Sequence, residues 1–128
     1  MTQEDKELLL KELCARLPYG VKFRYKYIDN FFHEIYTSSE LIGVLLPHHI
    51  IHSTFTGNEY LQIERDEIKP YLFPMSSMTE EQKVDMIKSS CGIGSDKNVF
   101  GWYNKNHFDY RGLIPLDLAI DATGLNIY

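Results

Sequence analysis

The chain has 128 residues, which is the length of one ordinary domain, so we expect a single domain spanning residues 1–128. Hydrophobic residues make up 44% of the sequence and aromatic residues 13%, which favours a folded core and excludes a disordered chain. The formal net charge of -5 argues against a general polyanion binder, because such proteins concentrate positive charge to displace phosphate counterions.

The two cysteines and the charged N-terminal residues indicate an intracellular protein. Cys14 and Cys91 are isolated, without a nearby partner at metal-ligand spacing, so we expect reduced, packed thiols and no metal. Residues Met1–Glu7 are too charged for an export signal, and the apolar run Leu41–Leu46 is far too short to cross a bilayer. We therefore expect a cytoplasmic protein that makes no contact with membranes.

The first third of the chain predicts a helix followed by a strand. Thr2 is suited to cap a helix over Gln3–Leu17, whose leucines recur at helical spacing, and Pro18-Tyr19-Gly20 should end it. Residues Val21–Tyr27 then alternate strictly between apolar or aromatic side chains and cations, which is the pattern of a half-buried strand.

The middle of the chain predicts several short strands with tight connections. The expected strands are Phe32–Thr37, Leu41–Leu46, Ile50–Phe55 and Tyr60–Glu64. The expected connections are turns at Asp29-Asn30 and Ser38–Glu40 and a loop at Thr56–Glu59. Such spacing is typical of a small bent antiparallel sheet or an SH3-like barrel.

The last part of the chain predicts helices that pack on this sheet. Ile68–Pro74 should end the sheet, because two prolines so close cannot both sit in a central strand. Thr79–Gln82 is a capping box for a helix that runs to about Ser90, with Gly92 as its left-handed stop. A further helix is expected from Ser95-Asp96 through Asn106, with Val99, Phe100 and Tyr103 on its inner face. The tail Leu113–Ile120 should pack back on the core, with Asp117 and Asp121 one helical turn apart if it is helical. The fold class expected from the whole sequence is α+β.

Three segments together resemble a known group of proteins. They are Leu13–Val21 (LCARLPYGV), Ile68–Glu81 (IKPYLFPMSSMTEE) and Asn106–Ile114 (NHFDYRGLI). They resemble short proteins without an established activity that are common in gut anaerobic bacteria, their prophages and other mobile elements. The resemblance implies an accessory protein of a phage or mobile element and transfers no catalytic residue. The segment Tyr27–Glu67 does not take part in it.

A histidine cluster invites a metal site, but strand geometry argues against it. In a strand His49 and His52 point to opposite faces, while His48 and His52 share a face about 13 Å apart at roughly 3.3 Å per residue. Zinc needs its ligand nitrogens about 2.0–2.1 Å from one centre. A bend at Pro47 could rescue one pair, with His33 from a neighbouring strand, but we favour structural or surface histidines.

The segment His107–Arg111 contains a possible acid–base pair. A histidine oriented by Asp109 is a recurring catalytic device, although a nucleophile cannot be assigned here. We favour a loop in which Asp109 caps the next turn and Arg111 holds carbonyls or a carboxylate. The glycines of Cys91–Lys97 lack the spacing of a phosphate-binding loop, so a connection between helices explains them better.

Lys22, Arg24 and Lys26 form a basic row along the first strand. Interleaved aromatic residues could stack on bases, but the alternation puts the rings and the cations on opposite faces, which favours a solvated strand face over an aromatic core. Replacing all three cations with glutamate should abolish nucleic-acid binding if this row provides it.

The functional expectation is a non-enzymatic protein that binds another protein, with a homo-oligomer as one form of that binding. It needs no cofactor. The alternative is a nucleic-acid-binding regulator that uses the Lys22/Arg24/Lys26 row. The third class, an enzyme, would require a cleft that converges on His107 and Asp109, or a bound metal.

Overall fold

The computed structural model describes residues 1–45, 49–54, 57–91 and 98–128. The described helices are α1 (Gln3–Arg16), α2 (Glu80–Ser90) and α3 (Val99–Lys105), with short 3₁₀ turns at Leu17–Tyr19 and Met75–Ser77. The described strands are β1 (Lys22–Ile28), β2 (Glu34–Leu45), β3 (His49–Thr54), β4 (Gly57–Gln62), β5 (Lys69–Leu72) and β6 (Ile120–Asp121).

The strands form one sheet in the order β4-β3-β2-β1-β5-β6. The pairs from β4 to β5 are antiparallel, and β6 adds a short parallel pair at the β5 edge. The α+β class is confirmed. Among the described strands, β4 and β6 lie at the two ends of this order. Of the two expected architectures, the sheet is therefore the open, bent sheet and not a closed barrel.

Helix α1 begins at Gln3, as its sequence predicts, and ends at Arg16, one residue before the predicted end. The Thr2 hydroxyl accepts a hydrogen bond from the Asp5 amide, and the Asp5 carboxylate accepts one from the Thr2 amide, so each satisfies a donor at the helix start. Gly20 ends the following turn with φ 67°, a conformation in which a Cβ is strained. The buried face of α1 carries Leu9 and Leu13.

Strand β2 is continuous, so the predicted turn at Ser38–Glu40 is wrong. These three residues pair with Arg24, Phe23 and Lys22 of β1, and this ladder overrides the local preference of the serines for turns. The chain bends further on, where the register with β3 shifts between Leu41 and Gly43. A Cβ on Gly43 would lie 3.1 Å from the Ile51 side chain, so glycine permits the close approach of β3.

The prediction that Ile68–Pro74 ends the sheet is also wrong, because Lys69–Leu72 forms β5 between β1 and β6. The pairing of β5 with β1 consists of Phe23 with Pro70 and Arg24 with Lys69. At the next position the Tyr128 hydroxyl lies between the strands: it accepts from the Lys22 amide (2.9 Å) and donates to the Tyr71 carbonyl (2.8 Å). A side chain from far along the chain therefore continues the ladder beyond Pro70.

The capping box of α2 is confirmed: the Thr79 hydroxyl accepts a hydrogen bond from the Gln82 amide, and the Gln82 side chain accepts one from the Thr79 amide. The proposed stop at Gly92 and cap at Ser95-Asp96 lie outside the described residues. Asn98 caps α3 through the Gly101 amide. Phe100 was expected on the inner face but is exposed, and Trp102 is buried there instead, because its ring stacks on Phe108 and its indole N–H donates to Asp85 (2.8 Å).

The tail packs on the core as predicted, through Leu113, Leu118 and Ala119. It does so as successive turns and not as a helix, so Asp117 and Asp121 do not share a helical face. A second, smaller cluster joins Met78, Trp102 and Phe108. Among the described residues, none of the helices is long and apolar enough to cross a membrane.

Candidate interaction surface

The outer half of the β1–β2 hairpin extends beyond its neighbouring strands. Strand β1 pairs along its whole length with Glu34–Glu40 of β2, whereas β5 pairs only with Phe23 and Arg24 of β1, and β3 pairs with β2 only over residues 41–45. We call the two-stranded part, Tyr25–Thr37, the hairpin arm. A two-stranded hairpin is marginally stable alone, so the arm depends on side-chain contacts with the rest of the domain.

The outer face of the arm is fastened to the turn that follows β4. Lys26 forms ion pairs with Glu67 (3.2 Å) and Glu34 (3.7 Å), and its amide donates to the Asp66 carbonyl (2.8 Å). The Tyr36 hydroxyl also bonds Glu67 (3.1 Å). The hydrogen bond from Lys26 lowers the pKa of the Glu67 carboxyl. These contacts set the angle at which the arm leaves the domain.

The inner face of the arm carries an aromatic row that runs from the core towards solvent. Phe23 is fully buried, the Tyr25 ring lies 5.8 Å from it, and the Tyr27 ring lies 6.3 Å beyond Tyr25. The His52 ring meets Tyr25 edge-on at 4.9 Å. Burial, followed by the nearby Glu59 charge, raises the pKa of the Tyr25 hydroxyl. The row therefore connects the exposed end of the arm to the rigid core.

The connection at the end of the arm is held in one conformation by Asp29. Its carboxylate accepts hydrogen bonds from the amides of Phe31 (2.8 Å) and His33 (2.9 Å), and its amide donates to the His33 carbonyl (3.0 Å). Phe32 has φ 62°, a left-handed conformation that is strained for a bulky residue. Backbone strain of this kind persists only where surrounding contacts impose it, and it concentrates at binding sites.

Phe31 and Phe32, which we call the aromatic tip, are the most exposed large apolar side chains among those described, at 78% and 88%. Ile28 and Tyr27 extend the exposed apolar surface down the arm. A fully buried aromatic side chain removes about 150–250 Å² from solvent. From their exposed fractions, the tip and these two neighbours therefore expose roughly 500 Å² of apolar surface. Patches of about 300–600 Å² are the largest on ordinary monomers and are often functional.

A groove lies beside the tip on the inner face of the arm. Its lining residues are Tyr25, Tyr27, Ile28, Thr37 and Glu59, and its volume is about 510 Å³. We call it the inner-face groove. Its lining combines aromatic rings with the polar groups of Thr37 and Glu59.

The basic row has its aromatic neighbours on the opposite face, as alternation predicts, and each of its cations has a contact within the chain. The Lys22 ammonium donates to the Ile127 carbonyl (2.8 Å), and the Arg24 guanidinium lies 4.4 Å from the centre of the Tyr36 ring. Lys26 pairs with Glu34 and Glu67, as described above. The carboxylates of Glu34 and Glu67 offset the charge of Lys26, while the contacts of Lys22 and Arg24 hold those two cations against the chain.

The histidines of β3 point to opposite faces, as strand geometry predicts: His49 is exposed and His52 is buried. His52 Nδ1 lies 2.9 Å from the Ser39 hydroxyl, and Nε2 lies 4.0 Å from a Glu59 carboxylate oxygen. Burial lowers the pKa of His52. His48 lies outside the described residues. Within residues 1–45, 49–54, 57–91 and 98–128, no group of three His, Cys, Asp or Glu side chains could hold a metal ion.

Asp109 caps the following turn, as favoured from the sequence. Its two carboxylate oxygens accept hydrogen bonds from the amides of Leu113 (2.8 Å) and Ile114 (2.9 Å), while Nδ1 of His107 has no hydrogen-bond partner among the described residues, so Asp109 does not orient it. The His107 ring stacks on Tyr128 with centroids 3.6 Å apart. Burial, followed by the charges of Arg16 and Lys22, lowers the pKa of His107 to about 4.

Arg111 holds a carboxylate, also as favoured, and that carboxylate belongs to the buried Glu12 of α1 (3.1 Å). Arg16 pairs with the other oxygen of Glu12 (2.6 Å) and donates to the Phe108 carbonyl (2.5 Å). This buried ion cluster ties α1 to the loop after α3. The i,i+4 spacing of Glu12 and Arg16 was a signal from which the sequence could have predicted the pairing of these two residues, though not their contacts with the loop after α3.

The aromatic tip was missed because the segment Phe32–Thr37 was interpreted as a strand. Phe32 instead lies in the connection, and β2 begins at Glu34. The available signal was two adjacent phenylalanines directly after a turn, since the alternation of a strand can bury only one of two neighbours.

Comparison with protein-family models, with characterised proteins and with solved structures gives no match to this chain. The resemblance of the three segments described above therefore stays a prediction.

Proposed function

We propose that this chain is a non-enzymatic accessory protein of a phage or mobile element that binds another protein through its aromatic tip. The observation that carries the proposal is the presentation of Phe31 and Phe32 to solvent by a connection that Asp29 holds in place, with Phe32 in a strained conformation. A loop without a binding role would gain stability from polar side chains and from glycine at the left-handed position.

Burial of the tip would provide substantial affinity. Each phenylalanine transferred from water to an apolar pocket contributes about 1.5–3 kcal/mol. Because the connection is already ordered, little conformational entropy is lost when it binds. Aromatic side chains that fill a pocket are the residues that most often dominate protein–protein interfaces.

The charge distribution supports a protein partner over a nucleic acid. The chain has a net charge of -5, and Lys22, Arg24 and Lys26 make contacts within the chain. Base stacking on the tip would also need cations beside the phosphates, because phosphate neutralisation supplies most of the affinity in such complexes, and Lys26 of the same arm is already paired with Glu34 and Glu67.

The experiment compares tagged full-length variants in affinity capture from a lysate of the organism that encodes the chain, with and without nuclease. In the tip variant, Phe31→Ser and Phe32→Ser are combined. The matched control combines Val84→Ser and Ile87→Ser, which removes two apolar side chains on α2 that are each 54% exposed. We expect one captured protein that survives nuclease, is retained by the control variant and is lost by the tip variant. With the purified partner, the tip variant should bind roughly 100-fold more weakly, from the loss of at least about 3 kcal/mol.

Three results would contradict the proposal. The first is capture that the tip variant leaves unchanged. The second is nucleic acid that co-purifies and is lost when Lys22, Arg24 and Lys26 are replaced by glutamate. The third is binding of the purified protein to lipid vesicles through the tip, which would assign Phe31 and Phe32 to a bilayer.

A further inference from the structure

We propose that the inner-face groove binds an arginine side chain of the partner protein, beside the place where the aromatic tip is buried. The inference rests on the proposed function, because it names the chemistry of the partner next to the same tip. Two features of the groove carry it. One is an exposed carboxylate that no cation offsets among the described residues, and the other is a pair of aromatic rings on which a guanidinium group can stack.

Glu59 supplies the charge of the groove, since it alone is ionised at neutral pH among the residues that line it. Its side chain is 57% exposed, and the basic group beside it is His52, whose Nε2 atom lies 4.0 Å from a carboxylate oxygen. That distance is too long for a hydrogen bond. Burial lowers the pKa of His52, so the ring is neutral near pH 7. The negative charge of Glu59 is therefore available to a partner.

Tyr25 and Tyr27 form the aromatic wall of the groove. Their ring centroids lie 6.3 Å apart with the planes tilted by 40°, and Tyr27 is exposed. The charge of Glu59 acts on this wall, because after burial it is the next cause that raises the pKa of the Tyr25 hydroxyl. A cation over the face of a tyrosine is attracted by the ring, and a nearby carboxylate adds to that attraction. The wall and the carboxylate therefore select the same kind of ligand.

The mixed lining favours arginine over other side chains. A guanidinium group is planar, so it can stack on a tyrosine ring while its N–H groups donate to Glu59 and to the Thr37 hydroxyl. The ammonium group of lysine is a compact, strongly hydrated point charge that cannot stack in this way. An apolar side chain would take the carboxylate and the hydroxyl out of water without giving them a hydrogen bond.

The charges around the groove act in the same direction. The chain has a net charge of -5, which attracts a basic partner over a longer range than a single contact. The cation of the arm, Lys26, alternates with Tyr25 and Tyr27 along β1, so it lies on the opposite face, and its ion pairs with Glu34 and Glu67 hold it there. It therefore does not repel a guanidinium group in the groove.

The test is a nuclear magnetic resonance titration of the purified full-length chain at pH 7 with N-acetyl-arginine amide. The matched probe is N-acetyl-citrulline amide, which has nearly the same shape and carries no charge. We expect the arginine probe to shift the signals of Tyr25, Tyr27 and Thr37, with a dissociation constant on the order of 1–10 mM for one side chain. The citrulline probe should leave these signals in place.

Two variants separate the carboxylate from the rings. Glu59→Gln keeps the size of the side chain and removes its charge, so it should weaken binding of the arginine probe at least about tenfold. Tyr27→Leu keeps an apolar side chain and removes the ring, so it should weaken binding about two- to fivefold. Both positions are exposed, so neither change disturbs the core.

A second groove of the same chain provides the control. It lies on α2, its volume is about 520 Å³, and its lining contains carboxylates but no aromatic ring: Glu81, Gln82, Val84, Asp85 and Lys88. The arginine probe should leave the signals of this α2 groove unshifted. Glu81→Gln, which removes the same charge as the Glu59 variant, should not alter the affinity for the probe.

Several results would overturn this inference. They are the absence of shifts at about 50 mM arginine probe, an equal response to citrulline or to N-acetyl-lysine amide, and shifts that Glu59→Gln leaves unchanged. A response of equal size in the α2 groove would also overturn it, because it would show attraction to any exposed carboxylate. The titration does not involve Phe31 and Phe32, so a chain that fails it and still loses its captured protein in the tip variant would leave the proposed function standing. Failure of the inference and failure of the proposed function are therefore distinguishable.

Discussion

His107 should make the stability of this fold depend on pH in the mildly acidic range. Its ring is buried and stacked on Tyr128, and its Nδ1 atom has no hydrogen-bond partner among the described residues. Burial disfavours the charged imidazolium, and the nearby positive charges of Arg16 and Lys22 add to this effect. Together they lower the pKa of His107 to about 4, whereas the unfolded chain has the ordinary value of about 6.5.

The sign and size of the effect follow from this difference. Between these two pKa values the unfolded chain binds more protons than the folded chain, so the free energy of unfolding falls as the pH decreases. His107 therefore has no effect well above pH 6.5, and its destabilising effect is complete below about pH 4. The full difference of about 2.5 pKa units corresponds to roughly 3.4 kcal/mol, of which about 2 kcal/mol is lost by pH 5.

The assay is urea unfolding at pH 7.5 and pH 5, followed by the fluorescence of Trp102, in the unaltered chain and in His107→Asn. Asparagine does not titrate, and it tolerates the left-handed conformation of His107, which has φ 64°. We expect the loss of stability between the two pH values to be about 2 kcal/mol smaller in the variant. The pKa of His52 is also lowered by burial, but this residue is present in both proteins, so its effect cancels. An equal loss in both proteins would refute the reasoning.

Two further changes test the tip and the ladder beyond Pro70. Phe32→Gly should raise the free energy of unfolding by about 0.5–1 kcal/mol, because it removes strain at φ 62° and no buried contact, while it abolishes partner capture. Lower stability by thermal denaturation would show that the Phe32 side chain has a structural role. Tyr128→Phe removes the hydroxyl that bridges Lys22 and Tyr71, so it should lower stability by about 1–3 kcal/mol in urea unfolding. An unchanged midpoint would mean that water replaces the hydroxyl.

Helix ends and the pattern of the first strand were predictable because they depend on residues close in sequence. The caps at Thr2 and Thr79 join groups three residues apart, and each has its expected partner. The alternation in β1 put Phe23 in the core and the cations on the other face. The capping role of Asp109 was also predictable from local preference, since its carboxylate oxygens accept hydrogen bonds from amides four and five residues further on.

Where prediction from the sequence failed, distant residues had changed the outcome. The serines at Ser38-Ser39 favour a turn, but pairing with β1 holds them in a strand. The missed tip has a related cause, because nothing near Phe32 in the sequence shows that neighbouring strands stop short of the arm and leave its end exposed.

The sequence by itself determined the α+β class, the helix caps and the faces of the first strand, since those depend on contacts within a few residues and on side-chain period. Tertiary structure decided that Pro70 lies in a strand, that Glu12 joins Arg111, and that Phe31 and Phe32 face solvent. The physical reason is separation along the chain. Lys22 meets Tyr128 across 106 positions and Arg16 meets Phe108 across 92, and local propensity carries no information about such contacts.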